Sequence, residues 1–140
     1  KYSRQPRGCS LAYLIHYCSS FAPEVASDQW FHFKEHMLID GWFLNGFREY
    51  LPTYEGKWTP DTGPIVGGIG VAATGLGLKA SSSVRDAEVH RVLKRSVDRV
   101  LGFCQHTRNF PGLNMITAIG SDVLASAIYS NSIPQMQAVR

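Results

Sequence analysis

Residues 64–78 read PIVGGIGVAATGLGL, an apolar run with five glycines inside it and no charge between Asp61 and Lys79. How this run folds decides the class of the chain. Its 17 uncharged residues from Thr62 to Leu78 fall short of the roughly 20 that a helix needs to cross a bilayer. Glycine is about 1 kcal/mol worse than alanine inside a helix. A glycine-rich helix is therefore worth forming where the missing side chains let neighbouring helices come close. The run reads as a buried helix opened by Pro64, lining the inside of a packed helical array. Gly68, Ala72 and Gly75 are then expected against another helix. A membrane span is the alternative, because glycine is frequent in such spans too.

The flanking sequence carries helical periodicity. On the N-terminal side, Ser10 is placed to cap a helix through Leu11, Leu14, Ile15 and Cys18. Pro23 and Glu24 open a second helix, with Ala26, Trp30, Phe33 and Met37 on one face and Asp28, His32, Glu35 and His36 on the other, ended by Gly41. On the C-terminal side, Ser83 is the expected cap of a helix with an apolar stripe of Val89, Val92, Leu93, Val97, Val100, Leu101 and Cys104, stopped at Pro111 and Gly112. A last helix begins near Ser121 with Val123, Leu124, Ala127 and Ile128. Strand-like alternation is confined to Met115 through Ile119. The expected class is all-α, with helical hairpins in a single domain over 1–140.

Composition sets the outer bounds. A chain of 140 residues that is 44% hydrophobic and 18% charged can build one ordinary core. Its net charge of +3 is scattered, without the basic stripe of a nucleic-acid surface. Cys9, Cys18 and Cys104 are odd in number and lack zinc-finger spacing, so they read as reduced thiols rather than a disulfide framework.

The candidate site lies in 41–63, a long connection that reads WFLNGFREYLPTYEGKWTPDTGP from Trp42 onward. Connections of this length inside a domain are usually functional or disordered, and this one is too aromatic for disorder. Glu49 and Asp61, twelve residues apart, form a candidate acid/base pair for a glycosidic or related bond. Arg48, Trp42, Tyr54 and Trp58 are the candidate substrate-binding residues, the three aromatics as stacking platforms for a sugar-like ligand. In the structural alternative, Asp61 caps the following helix and Glu49 pairs with Arg48 or Arg7. A separate pattern, His32-x-x-Glu35-His36, resembles the zinc motif of the inverted zincin peptidases, although the rest of that family's fold is not evident. No cofactor is indicated, because the loose glycine pattern at 68–73 lacks the strand a dinucleotide fold requires.

Four segments carry a wider resemblance: Arg7-Gly8-Cys9-Ser10, Gly46-Phe47-Arg48-Glu49, Asp61-Thr62-Gly63-Pro64, and the run from Gly68 to Gly75. In order and over most of 7–79 they resemble a group of poorly characterised bacterial helical proteins of the α/α-toroid type. That group is similar to six-hairpin glycosidases and to the linalool dehydratase/isomerase group. The resemblance implies a concave cavity closed by loops and a carbohydrate-processing or lyase-type enzyme. A full toroid needs far more chain, so the expectation is an arc completed by further sequence or by another copy. The expected partners are a small-molecule or carbohydrate ligand and such completing segments, with no nucleic acid. The rival expectation is a non-catalytic helical scaffold or membrane-associated interaction domain.

Overall fold

Gly67 and Gly68 have φ of +57° and +83°, a left-handed conformation that residues with a side chain rarely adopt. They form the turn of a hairpin, and the glycine-rich run is not one helix. The computed structural model describes residues 5–53 and 62–107. In chain order it contains α1 (Gly8–Cys18), α2 (Pro23–Met37), β1 (Leu38–Asp40), β2 (Asn45–Phe47), β3 (Ile65–Val66), β4 (Ile69–Gly70), α3 (Val71–Ser83) and α4 (Ala87–Thr107). β1 pairs antiparallel with β2, Leu38 opposite Phe47, and β3 pairs antiparallel with β4, Ile65 opposite Gly70. Further antiparallel bridges join Arg48 to Ile69 and Arg7 to Tyr50.

The all-α expectation is therefore overturned. Among the described residues, four helices and two small antiparallel sheets make a mixed class. The reason is length: strands of two or three residues are too short to display alternation, and the segment after Trp42 conceals β2 inside an apparent loop. Among the described residues no helix is long and apolar enough to cross a membrane. Expectations about the segment beyond Thr107, including the stop at Pro111 and Gly112 and the helix from Ser121, fall outside the described residues.

The core gathers around Phe47. Its ring stacks on Phe33 at 4.4 Å between centroids and meets Trp30 edge-on at 5.6 Å. Ala12 and Ile15 of α1, Met37 of α2, Leu78 of α3, and Leu93 and Val97 of α4 are buried in the same cluster. A Cβ on Gly77 would collide with the Phe47 ring, so this glycine allows α3 to lie on β2. Gly77, and Gly70 beside Glu49, are thus close-approach positions; Gly68 is in the turn, and Ala72 and Gly75 are half-buried.

Polar residues on buried helix faces complete the strand. The Phe47 amide donates to Thr74 Oγ1 at 2.9 Å, and the Asn45 amide donates to Ser96 Oγ at 2.8 Å. An unpaired buried amide costs about 1–3 kcal/mol, so these hydroxyls stabilise the strand's attachment to α3 and α4. The caps also differ from expectation. Asp86 Oδ1 accepts the Val89 amide at the start of α4, whereas Ser83 ends α3 with its hydroxyl on the Lys79 carbonyl. The residue at the N-cap of α1 is Arg7, not Ser10.

Candidate functional site

Beyond β2, Arg48 and Tyr50 make isolated bridges with Glu49 in the bend between them, and this segment carries Glu49 into the interior. The Arg48 amide donates to the Met37 carbonyl at 2.8 Å, and the Gly8 amide donates to the Glu49 carbonyl at 2.9 Å. Glycines permit this course. A Cβ on Gly8 would strike the Arg48 carbonyl, and one on Gly70 would lie 2.9 Å from Glu49 Cβ. The segment is therefore wedged between the start of α1 and the end of β4.

The Glu49 side chain is fully buried. Its Oε1 accepts from Arg7 Nε at 3.1 Å and from Cys9 Sγ at 2.9 Å. Oε2 is buried without a hydrogen-bond partner among the described residues. Burial pushes the Cys9 thiol up from its ordinary value, and the hydrogen bond to Glu49 and that residue's charge push it further. Cys9 is accordingly a neutral donor to the carboxylate, not a ready nucleophile.

Among the described residues, the candidates Arg48 and Trp42 lie at different turns. Arg48 is half-buried, with Nη1 3.5 Å from the point where a Gly68 side chain would begin, so its guanidinium lies at the β3–β4 turn. Trp42 is 97% exposed on the β1–β2 connection, its ring 5.7 Å from that of Phe43. It stands in solvent while Glu49 is sealed. Asp61, Tyr54 and Trp58 lie outside the described residues. Thr62, which follows Asp61, is buried, and its carbonyl accepts the Ala72 amide at 3.4 Å in the first turn of α3. Of the alternative arginine partners for Glu49, the structure brings Arg7.

Cys9 as a partner of Glu49 was not foreseen; its nearness to Arg7 in sequence was the available signal. His90 and Asp86 were also missed. His90 Nδ1 lies 3.1 Å from Ser81 Oγ and 3.2 Å from the Leu78 carbonyl, and burial lowers its basicity, which keeps the ring neutral near pH 7. Asp86 accepts from Trp30 Nε1 at 2.9 Å and Lys34 Nζ at 2.7 Å, tying α2 to the start of α4. Neither residue is distinguishable in sequence from a solvated polar position.

A cavity of about 280 Å³ lies between α1 and α2, with Leu11, Leu14, Ile15, Phe33, Met37 and Leu51 as its apolar walls and His32 and His36 among its polar ones. No family model, curated protein or solved structure matches this chain.

Proposed function

We propose that this chain is a non-catalytic interaction domain whose docking surface is the outer face of α1 and the turn into α2. The observation that carries this reading is that α1 is apolar on both sides. Gly8, Cys9, Ala12 and Ile15 are buried inward, while Tyr13, Leu14 and Tyr17 are each about half-exposed outward, and α1 contains no Asp, Glu, Lys or Arg. Phe21 in the turn and Val25 in the first turn of α2 are also more than half exposed. Ser10 and His16 are the only polar positions of α1 besides the tyrosine hydroxyls. A helix with apolar residues on both faces belongs against a partner, and clustered exposed apolar residues mark an interaction site. The partner this surface suits is the same apolar helical face on another copy of the chain.

Sedimentation of the purified chain over a range of concentrations tests the proposal. Self-association that is abolished by combining Leu14→Lys with Tyr17→Lys, at an unchanged thermal midpoint, supports it. A strict monomer at the highest soluble concentration, with no change in the double variant, counts against it.

A second reading rests on one specific feature, the unpartnered Oε2 of Glu49. Buried polar atoms are nearly always satisfied, and exceptions are a recognised mark of catalytic or ligand sites. In this reading Glu49 works with Asp61 as acid and base on a carbohydrate-like or lyase substrate. Its requirement is that Glu49→Gln removes turnover while leaving the fold as stable as before.

A further inference from the structure

The outward face of α2 carries a cluster that the docking surface and the Glu49 cluster do not use. His32, Glu35 and His36 are exposed, and one ligand atom from each lies within 4.8 Å of the others. Glu35 Oε2 stands between the two rings, 3.7 Å from His32 Nδ1 and 3.9 Å from His36 Nε2. Helical geometry puts residues four apart on one face, which is why this spacing converges at all.

We propose that His32, Glu35 and His36 bind a zinc ion. Two imidazoles and a carboxylate are the ligand types that zinc takes in sites with three protein ligands, with water in the remaining position. Ligand atoms about 2.0–2.1 Å from a tetrahedral ion lie roughly 3.3–3.4 Å from one another. The separations of 3.7 and 3.9 Å from Glu35, and of up to 4.8 Å across the three atoms, shorten to these values by rotation of exposed side chains on an unchanged helix.

A second feature points the same way. Asp28 Oδ1 lies 3.9 Å from His32 Nε2, the ring nitrogen facing away from Glu35. A carboxylate on the far nitrogen of a metal-bound histidine fixes the tautomer and strengthens the ligand. At 3.9 Å Asp28 stands outside hydrogen-bond distance and reaches that nitrogen by turning its own exposed side chain, so α2 carries three ligand groups and a carboxylate placed to orient one of them. His32 and His36 also line the cavity beneath α1, so an ion held between them borders that space.

The test is calorimetric titration of zinc chloride into the full chain after chelator treatment, with cobalt(II) as a spectroscopic probe. The expected result is one zinc per chain, with affinity lowered at least tenfold by His32→Ala and by His36→Ala. Asp28→Asn should weaken it by about tenfold, as loss of an orienting carboxylate does elsewhere. All three positions are exposed, so the variants should keep the parent's circular dichroism. Absence of one-to-one binding would overturn the proposal. So would binding that survives both histidine replacements, or a cobalt spectrum with a thiolate charge-transfer band, which would assign the ion to cysteine.

Discussion

Gly77 shows how one missing side chain sets the position of a helix. Helix propensity alone would make Gly77→Ala stabilising by about 1 kcal/mol. The added methyl would, however, meet the Phe47 ring, which is already clamped by Phe33 and Trp30. Overpacking of this kind costs about 1–3 kcal/mol, so the steric term wins. Gly77→Ala is expected to lower the chemical-denaturation midpoint, and a raised midpoint would show that α3 is free to move away from β2.

Asp86 gives a pH signature. Burial pushes its carboxyl up, but hydrogen bonds from Lys34, Trp30 and the Val89 amide, with the Lys34 charge, hold it below its ordinary value of 3.8. A carboxyl depressed on folding stabilises the protein above its unfolded pKa, and that contribution fades as pH falls through the folded value. Stability is therefore expected to drop as pH is lowered below about 4. Asp86→Asn should flatten this acid limb in denaturation measured at a series of pH values, and an unchanged limb would assign it to other carboxyls.

Among the elements, α4 was the most legible in sequence and β1 to β4 the least. The 3.6-residue period of α4 is long enough to stand out, and Leu93 and Val97 are indeed buried. The stripe nevertheless turns slightly from the expected line: His90 and Ser96 are buried with them, while Val100 is 38% exposed. Those polar positions look solvated in sequence because their partners, Ser81 and the Asn45 amide, are remote along the chain. Leu93→Ala should cost about 2–5 kcal/mol, whereas a conservative change at Val100 should cost far less. Equal losses at the two sites would mean that α4 faces the core differently.

The hairpin at 65–70 carried its own signal, two glycines between apolar pairs, which is a tight-turn pattern. It was masked by the apolar run around it. The same shortness of signal hid β2, whose three residues are held as much by Thr74 and Ser96 as by β1. Helix caps failed for a related reason. Ser83 and Asp86 are both acceptable caps by residue type, and only the turn through Arg85, with φ of +61°, decides for Asp86.

Across the described residues, α1 carries apolar side chains on its outer as well as its inner face. Its inner face holds the core and the Arg7–Cys9–Glu49 cluster, and its outer face holds Tyr13, Leu14 and Tyr17. Glu49, expected as half of an acid/base pair, thus joins the segment after β2 to the start of α1 through Arg7 and Cys9. Glu49 drew notice in the sequence as a carboxylate in an aromatic connection and as one of a candidate pair with Asp61. Its spacing from Asp61 carried no information on burial, which depends on Gly8 and Gly70 making room for the segment.

The structural and catalytic readings of Glu49 separate in a single experiment, urea denaturation of Glu49→Gln beside the parent. Gln keeps the shape but removes the charge that Arg7 and Cys9 share. Removing one partner of a buried pair costs about 3–5 kcal/mol, and the 25% exposure of the Arg7 side chain reduces this to about 2–4 kcal/mol. The structural reading predicts a loss of that size with an unchanged denaturant slope. A Glu49→Gln midpoint equal to or above the parent's would contradict it and make Glu49 a residue held for chemistry at the expense of stability.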